Sequence, residues 1–174
     1  LRNHYMSKTA YEREREAFWF YDIEELGYNY RLSDINAALG ISQLKKVDKM
    51  NEMRIKNAQY FTSKLKKIKG VITPYIAPNR NHIFHLYVIR IDHSIIDKTR
   101  DEVFRSLARD GIQCGVHYTP LHMLTLYKKM GYKPDNFPVA NKISKEILTL
   151  PMFPSLKKEE INYIVESLKK ALSS

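Results

Sequence analysis

The feature that most constrains this chain is the run 33–70. Ile35, Ala38, Leu39, Leu44, Val47, Met50, Met53, Ala58, Phe61, Leu65 and Ile68 recur at close to helical spacing, and apolar residues three and four apart share one face of an α-helix. Ser33 or Asp34 offers the side-chain oxygen of an N-cap, and Gly70 offers a C-cap. The pattern predicts one long helix, straight or bent. At about 1.5 Å per residue it would run about 50 Å, more than one small core can bury, so part of it is expected to meet a second domain or subunit.

Downstream the periodicity changes. "HIFHLYVIRID" (82–92) is rich in β-branched and aromatic residues and reads as a strand. "DKTRDEVFRSLARDG" (97–111) reads as a capped helix ending at Gly111, and "IQCGVHYTP" (112–120) as a short strand closed by Pro120. A short helix is expected over 139–148 behind Pro138, then "TLPMFP" as an extended piece. The last helix is expected over 157–172, with Leu156, Ile161, Ile164, Val165 and Leu168 inward. Helix, strand, helix, strand and helices make a two-layer α/β domain.

The 174 residues, 44% of them apolar, suffice for one globular domain. No apolar run is long enough to span a membrane and "LRNHYM" is no signal peptide, so a cytoplasmic location is expected. The single cysteine, Cys114, excludes an internal disulfide. Twenty-nine Lys and Arg against 19 Asp and Glu give a net charge of +10, which favours anionic partners. The lysines come in scattered pairs, however, which suits solvated helix faces better than a nucleic-acid stripe. The opening at Leu1, with no cap or strand boundary ahead of it, reads as a fragment. The segment 9–30, with Phe18, Trp19, Phe20 and Tyr21, has no sustained period and reads as a loop or short helix packed against something else.

No self-contained active site stands out. His82 and His85 are of opposite strand parity, and HExxH, CxxC and Gly-rich phosphate loops are missing, so no metal site is expected. Cys114 and His117 are also of opposite parity, which leaves Cys114 structural. Polar and aromatic residues gather in two places. The first is Gly27-Tyr28-Asn29-Tyr30-Arg31, ahead of the helix start. Unpaired N–H groups and a partial positive charge there could complete a phosphate cradle with the Asn29 amide and Arg31 guanidinium. Alternatively Asn29 caps a turn and Arg31 pairs with an acid such as Asp34. The second is "GVHYTPLH" (115–122), where His117 is either a structural histidine or, with Tyr118, part of a site.

The residues "GYNYRLSDINAALGISQL" resemble the pattern G-[YH]-N-x-R-[LM]-x-[DE]-[IL]-x-A-A-[IL]-G-x-x-Q-L of the DegT/DnrJ/EryC1/StrS family of sugar aminotransferases. Gly27, Tyr28, Asn29, Arg31, Leu32, Asp34, Ile35, Ala37, Ala38, Leu39, Gly40, Gln43 and Leu44 match without a gap. The likeness continues through "HIFHLYVIRID", "LARDGIQCGVHYTPLH" and "LTLPMFPSLKKEEI". Tyr5 departs from the glycine usual in the family's "LRNHG" segment.

The resemblance implies the small C-terminal domain of an aspartate-aminotransferase-like, type I pyridoxal-phosphate (PLP) fold, residues 33–174. A long N-terminal connecting helix would open it, and 1–32 would be a linker and loop from a missing PLP domain. It also implies amino transfer, usually from glutamate, onto a nucleotide-linked keto-sugar in polysaccharide or surface-glycan biosynthesis, by a homodimer. Some members dehydrate instead. The Schiff-base lysine, the pyridine-nitrogen aspartate and the stacking aromatic belong in the family to the larger N-terminal domain, so no catalytic residue is expected here. By the same resemblance Asn29 and Arg31 are candidates for the cofactor phosphate of the partner subunit, and Tyr28, His117 and Tyr118 for substrate. Two other readings stay open: a non-catalytic nucleic-acid-binding or regulatory module, and a dimerisation domain using the long helix and the 18–21 aromatics.

Overall fold

A computed structural model describes residues 22–23 and 25–173. The expectations for Tyr5 and for Phe18 to Tyr21 lie outside the described residues. The chain divides into two compact units, Leu1–Val47 and Asp48–Ser174.

In the first unit, α1 (Asp34–Leu44) begins where the sequence places its cap. Ser33 is extended (φ −71°, ψ 154°) and its Oγ accepts from the Asn36 N–H at 3.3 Å, with Asp34 in the first turn. No residue of α1 is buried.

The helix expected over 33–70 is two helices. α1 stops at Leu44, and α2 (Val47–Leu65) follows after Lys45 and Lys46. The Lys46 N–H donates to the Gln43 carbonyl at 2.9 Å, an i to i−3 bond in place of i to i−4, and this tightening closes the first helix. α2 buries Ala58, Phe61 and Leu65. Turns then lead to Gly70, whose φ of +82° a side chain would resist.

The sheet is three-stranded and antiparallel in the order β1 (Val71–Ile72), β2 (Tyr87–Ile91), β3 (Ile147–Leu150). Tyr87 faces Leu150 and Val88 faces Thr149 across the β2–β3 ladder. β2 alternates as a strand should, with Tyr87, Ile89 and Ile91 in the core. It is shorter than the expected 82–92 because Phe84 takes a left-handed conformation (φ 57°) that turns its ring into the core. His82 Nδ1 accepts from the Phe84 N–H at 2.9 Å and holds that turn. His82 and His85 therefore precede the strand, and strand parity does not apply to them.

α3 (Arg100–Arg109) starts on a capping box. Thr99 Oγ1 accepts from the Glu102 N–H, and Glu102 Oε2 accepts from the Thr99 N–H at 2.7 Å; Gly111 (φ +76°) follows its end. The expected strand 112–120 is reduced to one bridge, between Gly115 and Thr149. A 3₁₀ turn (Leu121–Met123), α4 (Thr125–Lys129) and a second 3₁₀ turn (Pro134–Asn136) lead to α5 (Pro138–Glu146). α5 stops before Ile147 and Leu148, which belong to β3, an all-buried strand. α6 (Lys158–Ser173) closes the unit with Ile161, Ile164, Val165 and Leu168 inward, as expected.

α2, β2, β3, α3 and α6 share one core through Phe61, Leu65, Tyr87, Ile89, Leu107, Leu148, Leu150, Ile161 and Leu168. Polar ties fasten α2 to the loops around it. Arg54 Nη1 donates to the carbonyls of Met152 (3.1 Å) and Phe84 (3.5 Å), and Asn57 Nδ2 to those of Phe153 and Pro154 (both 3.2 Å). On the other face of β2, Arg90 Nε and Nη2 both donate to Glu146 Oε2, at 2.9 and 2.6 Å, which neutralises an otherwise buried carboxylate on α5.

Candidate functional site

The five candidate residues fall in two units. Tyr28, Asn29 and Arg31 belong to 1–47, His117 and Tyr118 to 48–174.

In the first unit, the Tyr28 and Tyr30 rings stack at 5.0 Å and 4°, and Asn29 is exposed on the loop between them. The start of α1 is furnished by its own residues: Ser33 takes the Asn36 N–H, and the Asp34 carboxylate supplies negative charge to the first turn. The helix end is thus capped in the ordinary way, with the Ser33 hydroxyl taking one N–H of the first turn.

In the second unit, the Gly115–Thr149 bridge is a reciprocal pair. The Gly115 N–H donates to the Thr149 carbonyl at 3.0 Å and the Thr149 N–H to the Gly115 carbonyl at 2.8 Å. It fixes the segment that carries His117 beside β3, and His117 Nδ1 lies 2.9 Å from the buried Thr149 Oγ1. The imidazole lies against Gly115, where a Cβ would stand 2.6 Å from the ring Cε1. Tyr118 meets the imidazole edge to face at 4.7 Å and is otherwise exposed. His117 and Tyr118 are thus brought together, on a loop pinned to the sheet. The sequence missed Thr149; inside "ILTL" its only signal is a hydroxyl in an apolar strand.

His122, also missed, is buried against Phe137 at 4.7 Å, and its Nε2 has no hydrogen-bond partner among the described residues. Cys114 packs against the core, and burial pushes its thiol up to about 11, so it stays protonated near neutrality. Among the described residues no group of three or more His, Cys, Asp or Glu side chains could hold a metal. No described lysine is buried. Lys98, Arg105 and Arg109 line one groove of about 370 Å³ together with Glu102. The pairs Lys45-Lys46, Lys66-Lys67, Lys128-Lys129, Lys157-Lys158 and Lys169-Lys170 are exposed, the first two in the turns after α1 and α2, the third on α4 and the last two at the start and near the end of α6. Among the described residues no helix is long and apolar enough to cross a membrane.

Comparison with known proteins places this geometry. The sequence model of the DegT/DnrJ/EryC1/StrS aminotransferase family matches residues 1–169. The spore coat polysaccharide biosynthesis protein SpsC of Bacillus subtilis is 34% identical over 169 residues, covering 95% of this chain and 43% of SpsC. The UDP-4-amino-4,6-dideoxy-N-acetyl-β-L-altrosamine transaminase of Campylobacter jejuni is 33% identical over 156 residues, 88% of this chain and 40% of that protein. Among solved structures, Spr1654 of Streptococcus pneumoniae, described as a sugar aminotransferase and captured in its PMP form, superposes with a TM-score of 0.86 at 29% identity. It covers 98% of this chain and 43% of that one; a PLP form of the same protein also matches. The chain spans less than half the length of these relatives.

Proposed function

The chain belongs to the DegT/DnrJ/EryC1/StrS aminotransferase family, a family of PLP-dependent enzymes, and on that premise we propose that it is the C-terminal portion of an aminotransferase acting on a nucleotide-linked keto-sugar. The observation that carries the reading is a family match along residues 1–169 of a chain that covers only 43% of SpsC. More than half of such an enzyme, and with it the lysine that carries the cofactor, would lie outside this chain. That no described lysine is buried supports this, since a cofactor-bearing lysine works from a desolvated pocket. On this reading the domain is the small domain of the type I PLP fold, preceded by its connecting segment.

The described residues fit one end of the cofactor, its phosphate. The Asn29 amide, exposed on its loop, can donate to a phosphate oxygen with Arg31 adding charge ahead of the α1 start. PLP when bound supplies the electron sink that lets an amino group pass from glutamate to the sugar. The chain's own residues bind and orient: in the second unit His117 and Tyr118 are assigned to substrate, on a loop held by the sheet, and Tyr28 of the first unit is assigned to substrate on its family resemblance alone.

α1 supports a homodimer. Ile35 and Leu44 are nine positions apart, which at about 100° each places them on opposite sides, and they are 82% and 70% exposed. A helix apolar on opposite sides belongs in an interior. We assign its cover to the rest of the protein and to a second subunit.

The test uses the intact protein purified with PLP, incubated with glutamate and a UDP- or dTDP-linked keto-sugar. Glutamate-dependent formation of an amino-sugar nucleotide is expected. Bound PLP without amino transfer to any such sugar would refute the proposed activity.

A further inference from the structure

Three features converge on the imidazole of His117, and each restricts it differently. Gly115 leaves the space in which the ring lies, since a Cβ there would stand 2.6 Å from Cε1. Tyr118 closes one side with its edge-to-face ring at 4.7 Å. Thr149 Oγ1, from a residue only 5% exposed, sits 2.9 Å from Nδ1.

The direction of that last hydrogen bond follows from the surroundings of Thr149. Its backbone N–H and carbonyl are both engaged with Gly115. Among the described residues its hydroxyl has one partner, His117 Nδ1. If Nδ1 carried the ring proton and donated, the hydroxyl hydrogen would be left buried without an acceptor, and a buried unsatisfied donor is costly. If the hydroxyl donates, Nδ1 accepts and nothing is left over. The ring proton of the neutral imidazole then resides on Nε2, across the ring from Thr149.

We propose that Thr149 is a positioning residue that holds His117 as the Nε2–H tautomer, so that Nε2 is presented as a pre-set hydrogen-bond donor to an oxygen of the substrate. A donor fixed before the substrate arrives loses little orientational freedom on binding. The ligand class is an oxygen acceptor, which on the function proposed above is one of the oxygens of the nucleotide sugar. The substrate part of the inference rests on that reading; the tautomer does not.

The experiment records two-bond ¹H–¹⁵N spectra of the histidine rings at about pH 8, where an ordinary histidine is neutral. Wild type, Thr149→Val and Thr149→Ser are compared, with thermal melts to show that each is folded. In wild type, His117 Nδ1 is expected at the position of an unprotonated nitrogen and Nε2 at that of a protonated one. The valine variant loses this bias and its ring averages between tautomers; the serine variant restores it. In the intact enzyme, Thr149→Val should raise KM for the nucleotide sugar about tenfold with kcat nearly unchanged, and Thr149→Ser should return it. A wild-type ring protonated on Nδ1, or a tautomer ratio that Thr149→Val leaves alone, overturns the proposal whatever the activity. A fixed Nε2–H tautomer in an intact protein that transfers no amino group would support the positioning of His117 while refuting the aminotransferase reading.

Discussion

Tyr87 provides a prediction in which the sign of a substitution reverses with pH. Its ring is fully buried in the core, stacked on Phe61 at 5.1 Å, and its hydroxyl lies 2.7 Å from Thr62 Oγ1, which joins α2 to β2. Removing the hydroxyl in Tyr87→Phe breaks that bond, but Thr62 can turn to a backbone carbonyl of its own helix, so the loss near pH 8 should be about 1 kcal/mol. Burial, partly offset by the Thr62 hydrogen bond, pushes the Tyr87 hydroxyl from 10.0 up to about 12. Below the unfolded value both states are neutral and the wild type keeps its full stability. Above it the unfolded state releases the proton while the folded state retains it, so unfolding is favoured by about 1.4 kcal/mol per pH unit. The wild type thus gives up its advantage of about 1 kcal/mol near pH 11 and becomes the weaker protein beyond that, until about 12. Phenylalanine has nothing to titrate, and every other tyrosine is common to both proteins. Urea midpoints measured from about pH 8 to about pH 11.5, a range set by this titration, should cross. If Tyr87→Phe remains less stable by a constant amount throughout, the hydroxyl is not buried as described and the argument fails.

Three further outcomes follow from the same geometry. Thr99→Ala should cost about 1 kcal/mol in urea denaturation by removing the α3 cap. The Thr99 hydrogen bonds hold the Glu102 carboxyl below its ordinary value, so the stability it adds is present above that value and fades as pH falls; the variant should show less of this acid sensitivity. Glu146→Ala leaves Arg90 without its carboxylate on a half-buried strand position and should lower stability by about 1–3 kcal/mol, measurable by denaturation with Arg90→Ala closing a double-mutant cycle. Asn29→Ala in the intact protein should weaken PLP binding about tenfold in a fluorescence titration while the melting temperature of the PLP-free protein stays unchanged.

What could be read from the sequence was local. α3 was legible as a capped helix ending at Gly111, but the expected span 97–111 begins three residues early, because the box of Thr99 and Glu102 sets the start at Arg100. α6 shows the same legibility through its apolar stripe. The break at Lys45 and Lys46 was hidden because apolar residues continue at helical spacing on both sides of it, and only the hydrogen-bond pattern records the interruption. β3 was divided between the end of a helix and the start of an extended piece because four residues that are all buried carry no alternation. The shortened β2 depends on a left-handed Phe84, a conformation that β-rich composition does not announce. At the candidate site, His117 and Tyr118 stood out as polar and aromatic residues beside a proline. Thr149, from a strand 32 positions on, could be joined to His117 only once the fold had brought them together.

The central claim is that the lysine bearing the cofactor lies outside these 174 residues, and one measurement addresses it directly. The intact protein, loaded with PLP, is reduced with borohydride, digested and mapped by mass spectrometry. The account predicts one saturable pyridoxyl adduct, on a lysine absent from this sequence. An adduct concentrated on a single lysine within it would contradict the account and place the cofactor in the domain described here.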